Sequence, residues 1–315
     1  MSNLSYMKKL LDGVEVECKA LGEVAKYEQP TKYLVQSTNY RDDFETPVLT
    51  AGKTFILGYT DETDGIYKAS ETPVIIFDDF TTANKWVDFD FKAKSSAMKM
   101  ISSVDESKTL SKYIYYWLNT LPSELVDGDH KRQWISNFAN KQIPIPPIHI
   151  QAEIVRILDA FTAHTAELTA ELTARKKQYN YYRDKLLSFE EGEVEWKTLG
   201  EVYKFQYGTG NTIPTVGGDY PVYGSNGIVG SHNEYNSEDS PVIGHIGAYA
   251  GIVNWGHGKH FVTYNGVICK HIDHEVNSRY AYYQLLKQDF NAMAKSASHP
   301  FISYAALKPN PTRKL

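Results

Sequence analysis

One apolar stripe dominates the chain. Ile150, Ile154, Ile157, Phe161, His164, Leu168, Glu171 or Leu172, Arg175, Tyr179, Tyr182 and Leu186 recur at alternating spacings of three and four, with Glu, Lys and Arg between them. That period predicts a single long helix with one seam for a partner helix. At about 1.5 Å per residue it is a rod of about 55 Å. The preceding Ile143-Pro144-Ile145-Pro146-Pro147 is extended, because proline excludes the helical region for the residue before it. His164, Glu171 and Arg175 read as polar positions that set register on the seam. A lone amphipathic rod of this length needs another helix to cover its stripe.

The flanks carry a different pattern. Short apolar runs at Pro47–Thr50, Phe55–Tyr59, Val74–Phe77 and Ala97–Ile101, separated by Asp, Gly and Thr, predict strands. From Asp105 to Leu118 the period becomes helical, with Asp105 or Ser107 available as a cap. After the rod the same kinds of element return with a glycine-rich middle from Gly208 to Gly258, which predicts tight hairpins and exposed loops on a sheet.

The two flanks are copies. Val16-Glu17-Cys18-Lys19-Ala20-Leu21-Gly22-Glu23-Val24 returns as Val194-Glu195-Trp196-Lys197-Thr198-Leu199-Gly200-Glu201-Val202. In the same order, Thr46-Pro47-Val48 matches Tyr220-Pro221-Val222, and Thr72-Pro73-Val74-Ile75 matches Ser240-Pro241-Val242-Ile243. Ser111–Tyr116 matches Ser278–Tyr283, and Trp134–Asn137 matches Phe301–Tyr304. The repeat is a whole domain and far longer than a solenoid unit. Met7–Leu11 matches Arg183–Leu187 at the end of the rod, so the duplication is circularly offset. The second copy diverges at Pro309–Leu315 where the first runs on into its helix, and a second rod is expected but missing there. The expected boundaries are a first module at 1–147, a helical spacer at 148–189 and a second module at 190–315. The fold class is α+β: two tandem mixed α/β modules joined by a coiled-coil-forming helix.

Composition narrows the function. A chain of 315 residues that is 42% hydrophobic is able to bury two cores. No apolar run reaches the ~18 residues of a membrane span, and no secretory signal is evident at the start, so the cytoplasm is the default location. Cys18 and Cys269 occupy unmatched repeat positions, which predicts no disulfide framework. A net charge of −5 argues against a protein that holds nucleic acid by bulk charge, though not against one that reads DNA locally. The 23 tyrosines suit either base and phosphate contacts or β cores.

The proline hinge followed by Gln151–Asp159, with Arg175–Tyr179 and Tyr182–Leu187 at the far end of the rod, strongly resembles the specificity subunit of type I restriction-modification systems, over essentially the whole chain. Pro73–Thr82, Lys94–Met98 and Gly244–Gly251 resemble segments of that family's target recognition domains. The resemblance implies a non-catalytic DNA reader. Each recognition domain would read one half of a split, asymmetric site, and the helix would act as a ruler that fixes the gap. It also implies methyltransferase and restriction subunits as partners. S-adenosylmethionine, ATP and Mg²⁺ would then belong to those partners, with no cofactor or metal on this chain. Against this stands an alternative, a truncated or rearranged fragment acting only in assembly or as a decoy.

Base and phosphate contacts are expected on module loops that combine amides, hydroxyls and lysines. In the first module these are Thr81, Thr82, Asn84, Lys85, Lys94, Ser95, Ser96 and Lys99. In the second they are Ser225, Asn226, His245, Tyr249, His257, Lys259, His260, Tyr264 and Asn265. The expected subunit interface is Ile150, Ile154, Ile157, Phe161, Leu168, Leu172, Tyr179, Tyr182 and Leu186, outside the core of either module and open to self-association. Rival readings are weaker. A nuclease would use Asp78, Asp79 and the Asp90-Phe91-Lys92 pattern, and a methyltransferase would use Phe205–Gly210 as a cofactor loop. Metal binding would fall to His257, His260, His271 and His274.

Overall fold

Short strands bracketed by turns build the N-terminal unit, Met1–Thr169. In chain order its elements are β1 (Glu17–Ala20), α1 (Leu21–Val24), β2 (Ala25–Glu28), β3 (Thr46–Leu49), β4 (Ile56–Thr60), β5 (Val74–Asp78), β6 (Asn84–Val87), β7 (Lys92–Ala93) and β8 (Met98–Ser103). Then come α2 (Ser111–Leu118), α3 (Gln133–Ser136), β9 (Gln142–Ile145) and the first turns of α4 (Ile148–Leu186). This computed structural model describes residues 10, 12–52, 54–122, 132–190, 194–294, 300–309 and 311–313. The expected echo at Met7–Leu11 lies outside them except for Leu10.

An antiparallel sheet in the order β2-β8-β5-β6 forms the centre of the unit. Ile75 and Phe77 of β5 pack with Ile114, Leu118, Trp134 and Phe138 from the helices. Val74 and Ile76 point the other way, into a cluster with Leu49, Val87, Phe91 and Met100. Because both faces of β5 are covered, its sequence is a continuous apolar run without alternation. A second sheet, β4-β3-β7, pairs β3 and β7 in parallel.

The helix expected from Asp105 begins later, at Ser111. Asp105 instead closes a turn, accepting from the Ser107 amide at 3.0 Å while its carbonyl accepts from Thr109 at 2.9 Å. Such local side-chain bonds compete with helix formation. The rod then supplies what α2 lacks at its start. Gln151, fully buried, accepts from the Leu110 amide at 3.0 Å and donates to the Lys108 and Pro146 carbonyls at 2.9 and 2.8 Å. Ile150 is buried beside it, and Ile154 and Val155 pack on the module core. This corrects the expectation that the rod lies outside both cores: its first turns are core, because the extended proline hinge directs them onto α2. Gln151→Ala is therefore expected to cost about 1–3 kcal/mol in urea unfolding by stranding those backbone groups. Wild-type stability would show that the bonds contribute nothing.

From Phe161 to Tyr182 every residue of α4 is exposed, so this stretch meets the sequence expectation of an uncovered stripe. The second unit, Ala170–Leu315, takes up the last turns of α4, where Leu187 is buried and Lys287 Nζ donates to its carbonyl at 3.0 Å. The division between units thus falls inside the helix.

The second unit continues with β10 (Trp196–Thr198), α5 (Leu199–Val202), β11 (Tyr203–Tyr207), β12 (Tyr220–Gly224), β13 (Gly227–His232), β14 (Ser237–Gly244), β15 (Val253–Val262) and β16 (Gly266–His271). It closes with α6 (Ser278–Lys287), α7 (Phe290–Ala294), α8 (Tyr304–Leu307) and β17 (Pro311–Arg313). Its six-stranded sheet runs β11-β16-β14-β15-β12-β13. The duplication holds in the pairing. β12 lies parallel to β15 as β3 does to β7, and β14 antiparallel to β16 as β5 does to β8. Within the segment expected to diverge at Pro309, Pro311–Arg313 keeps the repeat's pairing, lying on β10 as Gln142–Ile145 lies on β1. Lys308 abuts Gly200 as Ala139 abuts Gly22, which puts the copies out of step with the Trp134/Phe301 match.

Candidate nucleic-acid interface

Parallel pairing of β3 with β7, and antiparallel pairing of β5 with β8, bring three loops of the first unit to one edge of the module, at the same strand ends of its two sheets. They are the loop after β3, the turn after β5 and the loop after β7. Asp78 shapes the turn by accepting from the Phe80 and Thr81 amides at 2.9 and 3.3 Å, and Thr82 adopts a positive φ of 60°. Thr81 and Lys85 are exposed, with Thr82 and Asn84 half-buried beside them. Lys85 Nζ lies 4.8 Å from the centre of the Phe55 ring, which ties it to the loop after β3. Lys94 Nζ donates to Tyr40 Oη at 3.0 Å, while Ser95 and Ser96 are exposed. Seven of the eight residues expected in this module therefore sit around one edge.

Lys99 is the exception. It is fully buried, 3.7 Å from Asp79 and 4.7 Å from the centre of the Tyr27 ring. Burial holds its ammonium below the usual lysine range, against the pull of Asp79. Asp79 in turn accepts from the Trp134 amide at 2.8 Å, and its carbonyl accepts from Gln133. Lys99 is thus a core clamp on α3 and not a phosphate contact, because both faces of β8 are covered.

In the second unit the same edge gathers Ser225, Asn226, Tyr249, Tyr264 and Asn265. Ser225 Oγ donates to the Ile246 and Asn265 carbonyls at 2.8 and 2.9 Å. Asn226, Tyr249 and Tyr264 are exposed, and Asn265 is half-buried. His257 and Lys259 are also exposed, but on β15, with Lys259 Nζ 4.6 Å from the Tyr235 ring centre. Two histidines expected at the surface are buried. His245 donates from Nδ1 to the Ile302 carbonyl at 2.7 Å and lies 4.5 Å from Tyr207 between ring centres. His260 donates from Nδ1 to the Gly258 carbonyl at 2.8 Å and meets Ser240 Oγ at 3.3 Å through Nε2. Its ring fits only because position 256 is glycine, where a Cβ would come within 2.4 Å of it. Burial holds its imidazole below the usual histidine range.

Residues named in two of the rival readings make structural contacts of their own. Asp90 accepts from Lys68 and Ser70, whereas Lys92 is buried against Glu62 at 2.7 Å and donates to the Asp64 carbonyl. The two ends of the nuclease-like pattern therefore serve separate structural bonds. Gly208 of the supposed cofactor loop is required by close backbone approach, since a Cβ there would lie 2.3 Å from the Val262 carbonyl oxygen. No group of three or more metal-ligating side chains occurs among the described residues. No helix among them is long and apolar enough to cross a membrane.

The sequence reading missed the aromatic supports of these loops: Tyr40 under Lys94, Phe55 under Lys85, and Tyr207 beside His245, with Tyr304 against Tyr207 in turn. It also missed Asn119, whose side chain donates to Asn84. Extending the Ser111–Tyr116 repeat to the helix end sets Asn119 against Leu286, but Trp117 against Gln284 differs as much, so no local signal marked it.

The family described as the type I restriction modification DNA specificity domain matches residues 13–176 and 191–309. The specificity subunit of the type I restriction enzyme EcoR124I/EcoR124II from Escherichia coli is 73% identical over 217 residues, covering 67% of this chain and 54% of that relative. The chain thus spans about half the length of that relative. The EcoprrI specificity subunit from Escherichia coli is 31% identical over an alignment of 361 residues, covering 98% of this chain and 86% of the relative. The fold is also that of the type I restriction-modification S subunit from M. genitalium, at a TM-score of 0.73 and 18% identity, over 96% of this chain and 86% of that one. With one match over the first module and most of α4 and a second over the other module, the chain belongs to the type I restriction modification DNA specificity family and carries its domain twice.

Proposed function

We propose that the chain is the non-catalytic, sequence-reading subunit of a type I restriction-modification complex. The first module reads one half of a split DNA site through the edge formed by Thr81, Thr82, Asn84, Lys85, Lys94, Ser95 and Ser96. The second reads the other half through Ser225, Asn226, Tyr249, Tyr264 and Asn265, with His257 and Lys259 on phosphates. Methyltransferase subunits dock on the stripe of α4, and restriction subunits join through the complex. S-adenosylmethionine, ATP and Mg²⁺ sit on those partners, and the assembly works in the cytoplasm beside the DNA it modifies.

The observation that carries this reading is that two copies of one specificity domain present the same set of loops at the same strand ends. Retention of that edge in both copies favours a reader over a decoy. Its chemistry suits DNA: amides and hydroxyls for base edges, lysines for phosphates, and a net charge of −5 that leaves affinity to local contacts.

The test is the double substitution Asn84→Ala with Lys85→Ala in the chain assembled with its methyltransferase. We expect roughly a ten- to hundred-fold loss of DNA affinity, and relaxed sequence choice in one half-site only. The salt dependence should flatten by about one phosphate contact. Unchanged affinity and unchanged methylated sequence would remove this edge from the reading.

A further inference from the structure

Beside the first module's reading turn lies a cavity of about 330 Å³, lined by Thr81, Thr82, Asn84 and Asn119 over an apolar floor that includes Leu118 and Phe138. The orientation of its two amides is fixed by a third group. The Tyr115 carbonyl accepts at 2.8 Å from the Asn119 side chain, and a carbonyl oxygen can only accept, so the atom of Asn119 facing it is Nδ2. The same Nδ2 lies 3.0 Å from Asn84, so the atom of Asn84 facing it is Oδ1. Asn84 is left with Nδ2 turned away from Asn119.

We infer that Asn119 is a specificity-determining positioning residue: it holds Asn84 so that a pair of N–H donors, and not an amide oxygen, meets the base. This rests on the proposed DNA-reading role and names what one position of that site accepts. An unconstrained asparagine reads adenine with both ends of its amide, oxygen to N6 and nitrogen to N7. With its oxygen committed to Asn119, Asn84 fits an edge made of acceptors. Guanine offers N7 and O6 side by side, thymine offers O4, and cytosine offers only an amino donor there. The second module has Leu286 in the place of Asn119, so the device belongs to one half-site alone and contributes to its asymmetry.

The test is selection of duplexes from a randomised DNA library by the full chain assembled with a methyltransferase subunit, read by sequencing. Asn119→Asp removes the donor and offers acceptors to Asn84, which reverses the Asn84 amide and turns its oxygen to the DNA. At one position of one half-site the preference should move from guanine or thymine to adenine or cytosine by about ten-fold, with the other half-site unchanged. Asn84→Asp, which presents only acceptors while keeping the shape, should move the same position in the same direction. A merely structural Asn119 would lower thermal stability and weaken all sequences together. A motif left unchanged by both variants overturns the inference, as does a change spread over both half-sites. If Asn119→Asp does not fold, the Asn84→Asp result decides alone. A wild-type complex that selects no split motif overturns the DNA-reading proposal itself, and the inference with it.

Discussion

Replacing Phe161, Leu168 and Leu172 with aspartate is expected to abolish association with a methyltransferase subunit while both modules stay folded. The three side chains are 60%, 52% and 54% exposed, so none of them belongs to a core among the described residues. Covering an apolar side chain of this size stabilises a complex by about 1.5 to 3 kcal/mol, and an aspartate in its place adds the cost of a desolvated charge. Losing three such anchors corresponds to well over a hundred-fold in affinity. The same stripe governs any pairing of α4 with a second copy, so the concentration dependence of sedimentation should vanish in the triple variant too. Ile157 is left in place because it is half-buried, and changing it would mix folding with assembly. Sedimentation of wild type and variant, with and without the methyltransferase subunit, measures both effects beside thermal unfolding. Wild-type binding by the variant would exclude this stretch of α4 as the docking surface.

Asp79→Ala is expected to damage the first module as much as loss of a core aromatic, costing about 3 to 5 kcal/mol. It strands the Lys99 ammonium in a site where both groups are 1% exposed or less, and it removes the acceptor of the Trp134 amide. Lys99→Met in the same chain should recover a good part of the loss, since an apolar side chain carries no stranded charge. The sign with pH follows from the depressed lysine. Between its folded value and the ordinary value near pH ~10.4 the unfolded chain binds more protons, so stability from this group rises with pH across that window. Without Asp79 the folded value falls further and the window widens toward neutrality. The deficit of Asp79→Ala should therefore shrink as pH rises above neutral. A deficit independent of pH, with no recovery on adding Lys99→Met, would mean that the pair is not the source of the instability.

Much of this architecture is legible along the chain because it depends on short-range periodicity and on order. The seam from Ile150 to Leu186 marks α4, and the apolar runs at Val48, Ile56, Val74 and Met98 fall in strands. The ordered echoes mark a domain duplication that the strand pairings reproduce. Less legible was where each element begins. Asp105 looks like a cap and is one, but of a turn that delays α2 until Ser111. The β role of Pro311–Arg313 was hidden because a two-stranded pairing constrains backbone hydrogen bonds and hardly constrains side chains.

By itself, then, the sequence determined that two related α/β modules flank one long helix, since hydrophobic period and repeat order are properties of neighbours along the chain. Only the tertiary structure decided which polar residues are surface and which are core. Lys99, His245 and His260 look like surface readers, yet each is buried against a partner distant in sequence: Asp79 and Tyr27, the Ile302 carbonyl, and Ser240. Likewise the direction of the Asn84 amide is set by Asn119, which is in turn set by the Tyr115 carbonyl. The physical reason is the same in each case. Desolvation and hydrogen-bond polarity depend on what lies opposite a side chain across the fold, and no local pattern records that.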